Sequence, residues 1–354
     1  SQIAGNEFNN NSIQVYQPRG TFNGTQILAE NDLDAAAYVG QPDTTIYTEI
    51  QPSIDGSVYD GTPAESGDVV NVEPGTYDES VTIDTGGVAI EGPNADRNGS
   101  SDSRTDEAII AGQIELAAPN TTVSGVQVSP GTDTFERKPA AAVSVSESNT
   151  TVRNTRISEF TVNITDISPN SVQGIQIYEE GTELTDVVIR NNAVEAISYR
   201  GSSQAPDGEF GTDYGNLYGI HVQGMIGDAL VEGNTLRNLS SDGYVLATAV
   251  SGTDSNDDAN PENVSVERNR ITNLSADGAP ATGLVVSSDR VDVGSVSVSG
   301  NTFVAPIDIT NNAPEELDAE LNYFSDDSPT VVGNASYDPF LTVEPDEVNA
   351  TSLD

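Results

Sequence analysis

The sequence predicts an all-β chain wound as a right-handed parallel β-helix with an N-terminal extension, and three observations carry that prediction. Short strands rich in Val and Ile recur along the chain, their apolar residues alternate with polar ones, and an Asn follows at a constant offset. Four segments align: 187–197 (VVIRNNAVEAI), 229–239 (ALVEGNTLRNL), 264–274 (VSVERNRITNL) and 296–303 (VSVSGNTF). Each is a strand, two turn residues, an Asn and a second strand. The aligned residues are Asn192, Asn234, Asn269 and Asn301, and a shifted copy occurs at 152–157 (VRNTRI).

A further short strand, usually led by Gly, precedes each copy: 174–177 (GIQI), 219–222 (GIHV), 249–250 (AV) and 283–286 (GLVV). Three short strands cannot bury their apolar face alone. Stacked coils can, with parallel strands about 4.8 Å apart and inward Val, Ile and Leu forming one column. Asn suits a recurring turn because it tolerates the left-handed region, and stacked amides can hydrogen-bond from coil to coil. A β-sandwich also has many short strands, but nothing in it demands an Asn at a fixed offset.

The column is expected over residues 46–343. Ile50 and Ile54, four apart and flanking Pro52, can cover the first coil as one helical turn. Tyr323, Phe324, Tyr337 and Phe340 form an aromatic group suited to covering the last coil. Residues 1–45 do not follow the repeat; 13–16 (IQVY) and 25–28 (TQIL) read as strands of an extension that either links subunits or folds back on its own column. Residues 344–354 read as an acidic tail.

Two segments add a family resemblance. Residues 47–55 (YTEIQPSID) followed by 66–83 (SGDVVNVEPGTYDESVTI) resemble the opening of pectin-lyase-like β-helices. At the other end, Asn322-Tyr-Phe and 337–341 (YDPFL) resemble the closing segment of secreted archaeal and bacterial β-helix surface proteins, with Phe324 and Phe340 where Trp is usual. The resemblance spans about residues 46–342 and implies the fold far more specifically than any activity, because the scaffold serves many functions.

Charge points to habitat. The chain carries 56 Asp and Glu against 13 Lys and Arg, a formal net charge of -43, and Lys138 is its single lysine. Such a field pushes a compact chain apart in dilute buffer, whereas molar salt shortens the Debye length to roughly 3 Å. The carboxylates are spread between the Val/Ile strands, so a folded, salt-adapted protein is expected over a disordered acidic one. The same charge repels phosphates and disfavours nucleic-acid partners. No cysteine is present, and no apolar run is long enough to span a bilayer. The chain starts at Ser1 without a leader and reads as a processed form.

Eleven Asn-x-Ser/Thr sequons begin at Asn10, Asn23, Asn98, Asn120, Asn149, Asn163, Asn238, Asn263, Asn273, Asn334 and Asn349. With 30 Asn and 67 Ser plus Thr, chance alone yields about six, so glycosylation on a cell exterior is expected. Self-association and contacts with surface glycans or envelope proteins fit that setting.

Candidate chemistry is sparse. The motif sets of pectin methylesterases and polygalacturonases are missing, and Arg153, Arg156 and Arg190 are the residues a lyase would need on one face. Tyr178, Tyr199, Tyr214 and Tyr218 hint at a saccharide-binding row. His221, the only histidine, is read as an exposed outward strand residue level with Gln176; with Met225 it makes too small a soft ligand set for copper. A calcium loop is the best metal candidate: Asp254, Asn256, Asp258, Asn260 and Glu262 place oxygen side chains at alternate positions. Ala259 stands where such a loop turns on Gly, and Ser265 where it needs an acid. Weaker acidic groups are Asp96, Asn98 and Asp102, and Asp207, Glu209 and Asp213. The expected function is a non-catalytic structural or adhesive surface protein, with a polysaccharide-binding or polysaccharide-cleaving protein as the alternative.

Overall fold

The structure, a computed structural model, describes residues 4–8, 13–16, 22–33, 35–42, 45–56, 62–131, 140–163, 171–200, 216–252, 261–277, 280–287, 291–325 and 328–345. It is a parallel β-helix. One coil illustrates the path: Val187–Arg190 lies in sheet 1, Ala193–Arg200 in sheet 2, Asn216–Ile226 in sheet 3, and Ala229–Glu232 returns to sheet 1 beside the strand that began the coil. Among the described residues sheets 2 and 3 have nine strands each, and sheet 1 has eleven.

Register explains the core. In sheet 1 the residues Val70, Ile90, Val123, Val152, Ile189, Val231, Val266 and Val298 stand level in successive coils, and all are buried. Matching inward columns run from Tyr77 to Phe324 in sheet 2 and from Val81 to Ile309 in sheet 3. Burial of each such side chain is worth roughly 1.5–3 kcal/mol. Because side chains alternate across a strand, a one-residue slip would turn the whole inward set to solvent.

The Asn turn departs in one respect from the sequence reading. The left-handed residue is the one before the aligned Asn: Asn191 (φ 56°), Gly233 (64°), Arg268 (54°), Gly300 (67°) and Leu321 (60°). The Asn itself points inward and is fully buried. Its side-chain oxygen accepts from the coil before, as Asn192 N and Nδ2 donate to Asn234 Oδ1 at 2.9 and 3.0 Å. The pattern repeats from Asn234 to Asn269, from Asn269 to Asn301 and from Asn301 to Asn322. Each of these amides also donates to a strand carbonyl, as Asn269 Nδ2 does to Val231 O at 2.8 Å. Asn322 is thus a fifth rung, and Thr155, whose N–H donates to Asn192 Oδ1, begins the ladder. The shifted copy at 152–157 is now explained: Asn154 (φ 53°) holds the left-handed position, and Thr155 holds the rung.

The Gly-led strands also have a steric cause. Gly174, Gly219, Ala247 and Gly283 stand level in sheet 3, so Ala247, and not Ala249, belongs to this small-residue column. A Cβ on Gly219 would sit 2.5 Å from Ala247 O and 2.6 Å from a Leu236 methyl, which leaves no room for one.

Both ends of the column are closed by the chain's own residues. Ile50 and Ile54 are fully buried over the first coil, around α2 (Gln51–Asp55), with Pro52 in its first turn as the sequence predicts. The Glu79 carboxylate accepts from Ile50 N and Gln51 N at 2.5 and 2.9 Å, satisfying free donors at this helix start. At the far end Phe324 stacks on Phe303 with ring centroids 5.6 Å apart and meets Tyr337 and Phe340 edge-on. Truncation by Phe324→Ala removes about 3–5 kcal/mol of packing. Hydrogen exchange should therefore show amides of 331–341 losing protection while those of 69–91 keep theirs.

The described part of the extension folds back on its own column. Ile13–Tyr16 pairs antiparallel with Thr45–Tyr47, and Ala37–Val39 pairs antiparallel with both Thr45–Tyr47 and Val69–Val72, so sheet 1 continues into the extension as strands of alternating direction. Residues 25–28 are not a strand but the body of α1 (Gly24–Glu30). Asn23 Oδ1 caps it by accepting from Gln26 N at 3.0 Å, Gln26 bonds Glu30 one turn on, and Ile27 is buried against Ala36 and Ile46. Four residues with two adjacent apolar ones do not distinguish the two periods.

Candidate functional site

The outer face of sheet 3 holds three of the six buried polar side-chain atoms without a partner among the described residues. Gln176 and His221 stand level in adjacent coils, as do Gln173 and Tyr218. Gln173, Gln176 and His221 point away from the core, yet are only 1, 5 and 5 % exposed. Tyr218 lies flat on the His221 ring at 4.2 Å, and His221 Nε2 is 2.8 Å from Ser251 Oγ. Gln173 Oε1, Gln176 Nε2 and His221 Nδ1 have no hydrogen-bond partner. The exposed position expected for His221 is therefore corrected: outward in a strand does not mean solvated once the face is covered. A buried, unpaired polar atom costs about 1–3 kcal/mol, so a row of three marks a place where an ordered water or a ligand group would be stabilised.

Burial lowers the His221 pKa to about 3, from an ordinary 6.5. The sign is that of a group kept neutral by folding. Between pH 6.5 and 3 the unfolded chain binds the extra proton, so stability is complete above 6.5 and is lost as pH falls. Lowering pH from 7 to 5 should cost the wild type about 2 kcal/mol through this group, at 1.36 kcal/mol per unit. His221→Gln copies the neighbouring coil and should flatten that dependence, read as denaturant midpoints in molar salt.

The cations are organised quite differently. All nine described arginines have a carboxylate within 4 Å. Glu107 joins Arg104 to Arg156, Glu195 joins Arg156 to Arg237 at 3.3 and 2.5 Å, and Glu232 joins Arg190 to Arg268. Most of these pairs cross from one coil to another. Arg104 is the most buried: its guanidinium takes both Glu107 oxygens and donates to Asn154 O at 2.7 Å, fastening the 93–107 loop over neighbouring turns. Arg153 and Arg190 share sheet 1 while Arg156 belongs to sheet 2, so the three arginines do not form one face, and each is held by an acid.

Of the tyrosines, Tyr178 and Tyr218 are half-buried on the outer face of sheet 3, whereas Tyr199 is 1 % exposed in the core. Tyr214 lies outside the described residues, as do Asp254, Asn256, Asp258 and Asn260 of the calcium loop; Glu262 is exposed, and its N–H donates to Ile226 O at 2.6 Å. Among the described residues no group of three acidic or imidazole side chains could hold a metal ion. Asn98, of the weaker acidic group, has its amide oxygen taken by Ser100 N and Oγ, both at 3.0 Å. A cavity of about 400 Å³ opens beside α1; at its wall the Tyr38 hydroxyl donates to Glu73 at 2.8 Å.

The sequons gain a structural explanation. Asn120, Asn149 and Asn263 occupy one turn column with φ of 60°, 55° and 48°, level with Gly87 and Asp186. Asn238 and Asn273 occupy a bend within the strands of sheet 2, at 56° and 52°, level with Glu159 and Ala196. Asn is tolerated at a left-handed turn, so these positions can hold the first residue of a sequon without strain.

No family model matches the chain, and no curated protein matches it either. No described helix is long and apolar enough to cross a membrane.

Proposed function

We propose that this chain is a non-catalytic structural rod of a cell surface bathed in brine, a subunit of an extracellular filament, an envelope or a viral spike. The observation that carries the reading is the commitment of the described arginines to carboxylates, mainly between coils. Cations placed this way stiffen a column and leave its surplus of acids to solvent. The resemblance of the opening segment to pectin-lyase-like β-helices and of the closing one to secreted archaeal and bacterial surface proteins supports the same assignment, as does the acidic composition. Electron microscopy of native surface material, with antibody labelling of this chain, tests it: labelled filaments or a labelled envelope layer are expected. Label confined to the cell interior would refute it.

A second reading, a polysaccharide-binding protein, is favoured by Tyr178 and Tyr218, half-buried on the outer face of sheet 3. Aromatic faces are among the groups that bind uncharged sugars. Retention on immobilised neutral polysaccharide, lost in Tyr178→Ala, would replace the first reading with this one.

A further inference from the structure

From the placement of the sequons we infer that one edge of the column, where sheet 3 turns into sheet 1, is the glycan-bearing edge of the molecule. The inference rests on the extracellular reading above, because the modifying machinery acts on exported chains.

Nine sequon Asn residues are described, and four lie on this edge. Asn120, Asn149 and Asn263 stand in its turn column, and Asn334 follows the last strand of sheet 3, Val331–Gly333, and precedes Ala335–Ser336, which pairs with Leu317–Asp318 beyond the last strand of sheet 1. All four are exposed, and the hydroxyl residues two positions on, Thr122, Thr151, Ser265 and Ser336, are half-buried. The spacing along the chain hides this: 29, 114 and 71 residues separate neighbours (120 to 149, 149 to 263, 263 to 334), yet winding brings them onto one ridge.

Of the other described sequons, Asn163 is exposed at the end of Arg156–Asn163, away from this edge, and the rest are held differently. Asn23 Oδ1 caps α1, Asn98 Oδ1 is occupied by Ser100, and Asn273 Nδ2 donates to Asn238 Oδ1. On the edge, the Asn120 and Asn149 amides make no side-chain hydrogen bond among the described residues. Asn263 Nδ2 donates one hydrogen to Gly227 O at 3.0 Å, and a substituted amide keeps one hydrogen for that bond.

The chemistry is group transfer from a lipid-phosphate-linked saccharide. The Asn Nδ2 forms a bond to the anomeric carbon, the bond from that carbon to the carrier's phosphate oxygen breaks, and the amide proton leaves with the phosphate. No redox partner is needed. Coils about 4.8 Å apart place Asn120 and Asn149 on adjacent turns, so sugars there project side by side from the ridge. The outward faces of sheets 1 and 2 keep their ion pairs free of this cover.

Glycopeptide mass spectrometry of the native protein tests the inference, with surface labelling of the same cells by an impermeant reagent. Peptides containing Asn120, Asn149, Asn263 and Asn334 should carry saccharide mass. Thr151→Val, which keeps Asn149 in its turn, should remove the Asn149 glycan alone and leave the circular dichroism spectrum unchanged. Edge peptides without sugar on surface-labelled protein would overturn the inference and leave the surface assignment standing. The same follows if sugar is confined to Asn23, Asn98, Asn163, Asn238 or Asn273. Protein that is never surface-labelled refutes the extracellular reading, and the glycan edge with it.

Discussion

Asn269→Val should lower the stability of the column by ~4 kcal/mol, because a rung carries several buried hydrogen bonds and each orphaned group costs about 1–3 kcal/mol. Asn269 Oδ1 accepts from Asn234 N and Nδ2, both at 2.9 Å, and its Nδ2 donates to Val231 O and Asn301 Oδ1. Valine removes the amide, leaves the Asn234 N–H buried without its partner, and takes one hydrogen bond each from Asn234 Nδ2, which keeps Ile189 O, and from the Val231 carbonyl. Backbone strain contributes nothing here, since the left-handed residue is Arg268. The thermal midpoint in molar salt should fall by roughly 5–10 °C. Ser297→Val, an exposed position in sheet 1, should change it little. Equal midpoints for Asn269→Val and wild type would mean that the amide ladder does not hold the coils.

Transfer from molar KCl to about 0.1 M salt should unfold or loosen the protein. Two electrostatic effects oppose each other. The arginine pairs strengthen in dilute salt, but they are mostly half-exposed, and such pairs are worth about 0–1 kcal/mol each. Against them stands the repulsion of a net charge of -43. Like charges meet directly in the stack: Glu232 and Glu267 are register partners in adjacent coils, and Asp186 is level with Asp228. Neighbours about 4.8 Å apart lie beyond the roughly 3 Å Debye length of molar salt and well within the roughly 10 Å of 0.1 M. Repulsion therefore dominates on dilution. Circular dichroism should lose its β signal as salt is removed and regain it on return; a spectrum indifferent to salt would sink the brine assignment.

Much of the fold was legible in the sequence because its signals are local. Alternation within four-residue strands, the recurring Asn, the Ile50–Ile54 pair and the closing aromatics each lie within a few neighbouring residues, and each maps directly onto an inward column, a rung or an end cover. The candidate site was much less legible. His221 looked solvated because alternation tells inward from outward but not whether an outward face is covered. Tyr199 read as a surface aromatic because the bend at Ala196, a residue with no turn signature, changes the outlook of the strand beyond it. Residues 25–28 read as a strand because four residues are too few to fix a period.

By itself the sequence determined the class of fold, the inward residues and the acidic character, since these depend on residue type and on spacing within one coil. Tertiary structure decided everything that depends on which coil lies beside which. Loops of unequal length separate the coils, so register between them cannot be counted from spacing. Only stacking puts Asn322 on the ladder, moves the left-handed conformation to the preceding residue, places Glu195 between Arg156 and Arg237, and lines up Asn120, Asn149, Asn263 and Asn334 along one edge. Hydrogen bonds and ion pairs reach about 3 Å, and residues 20–40 apart in the chain come within that reach only after the strands have paired.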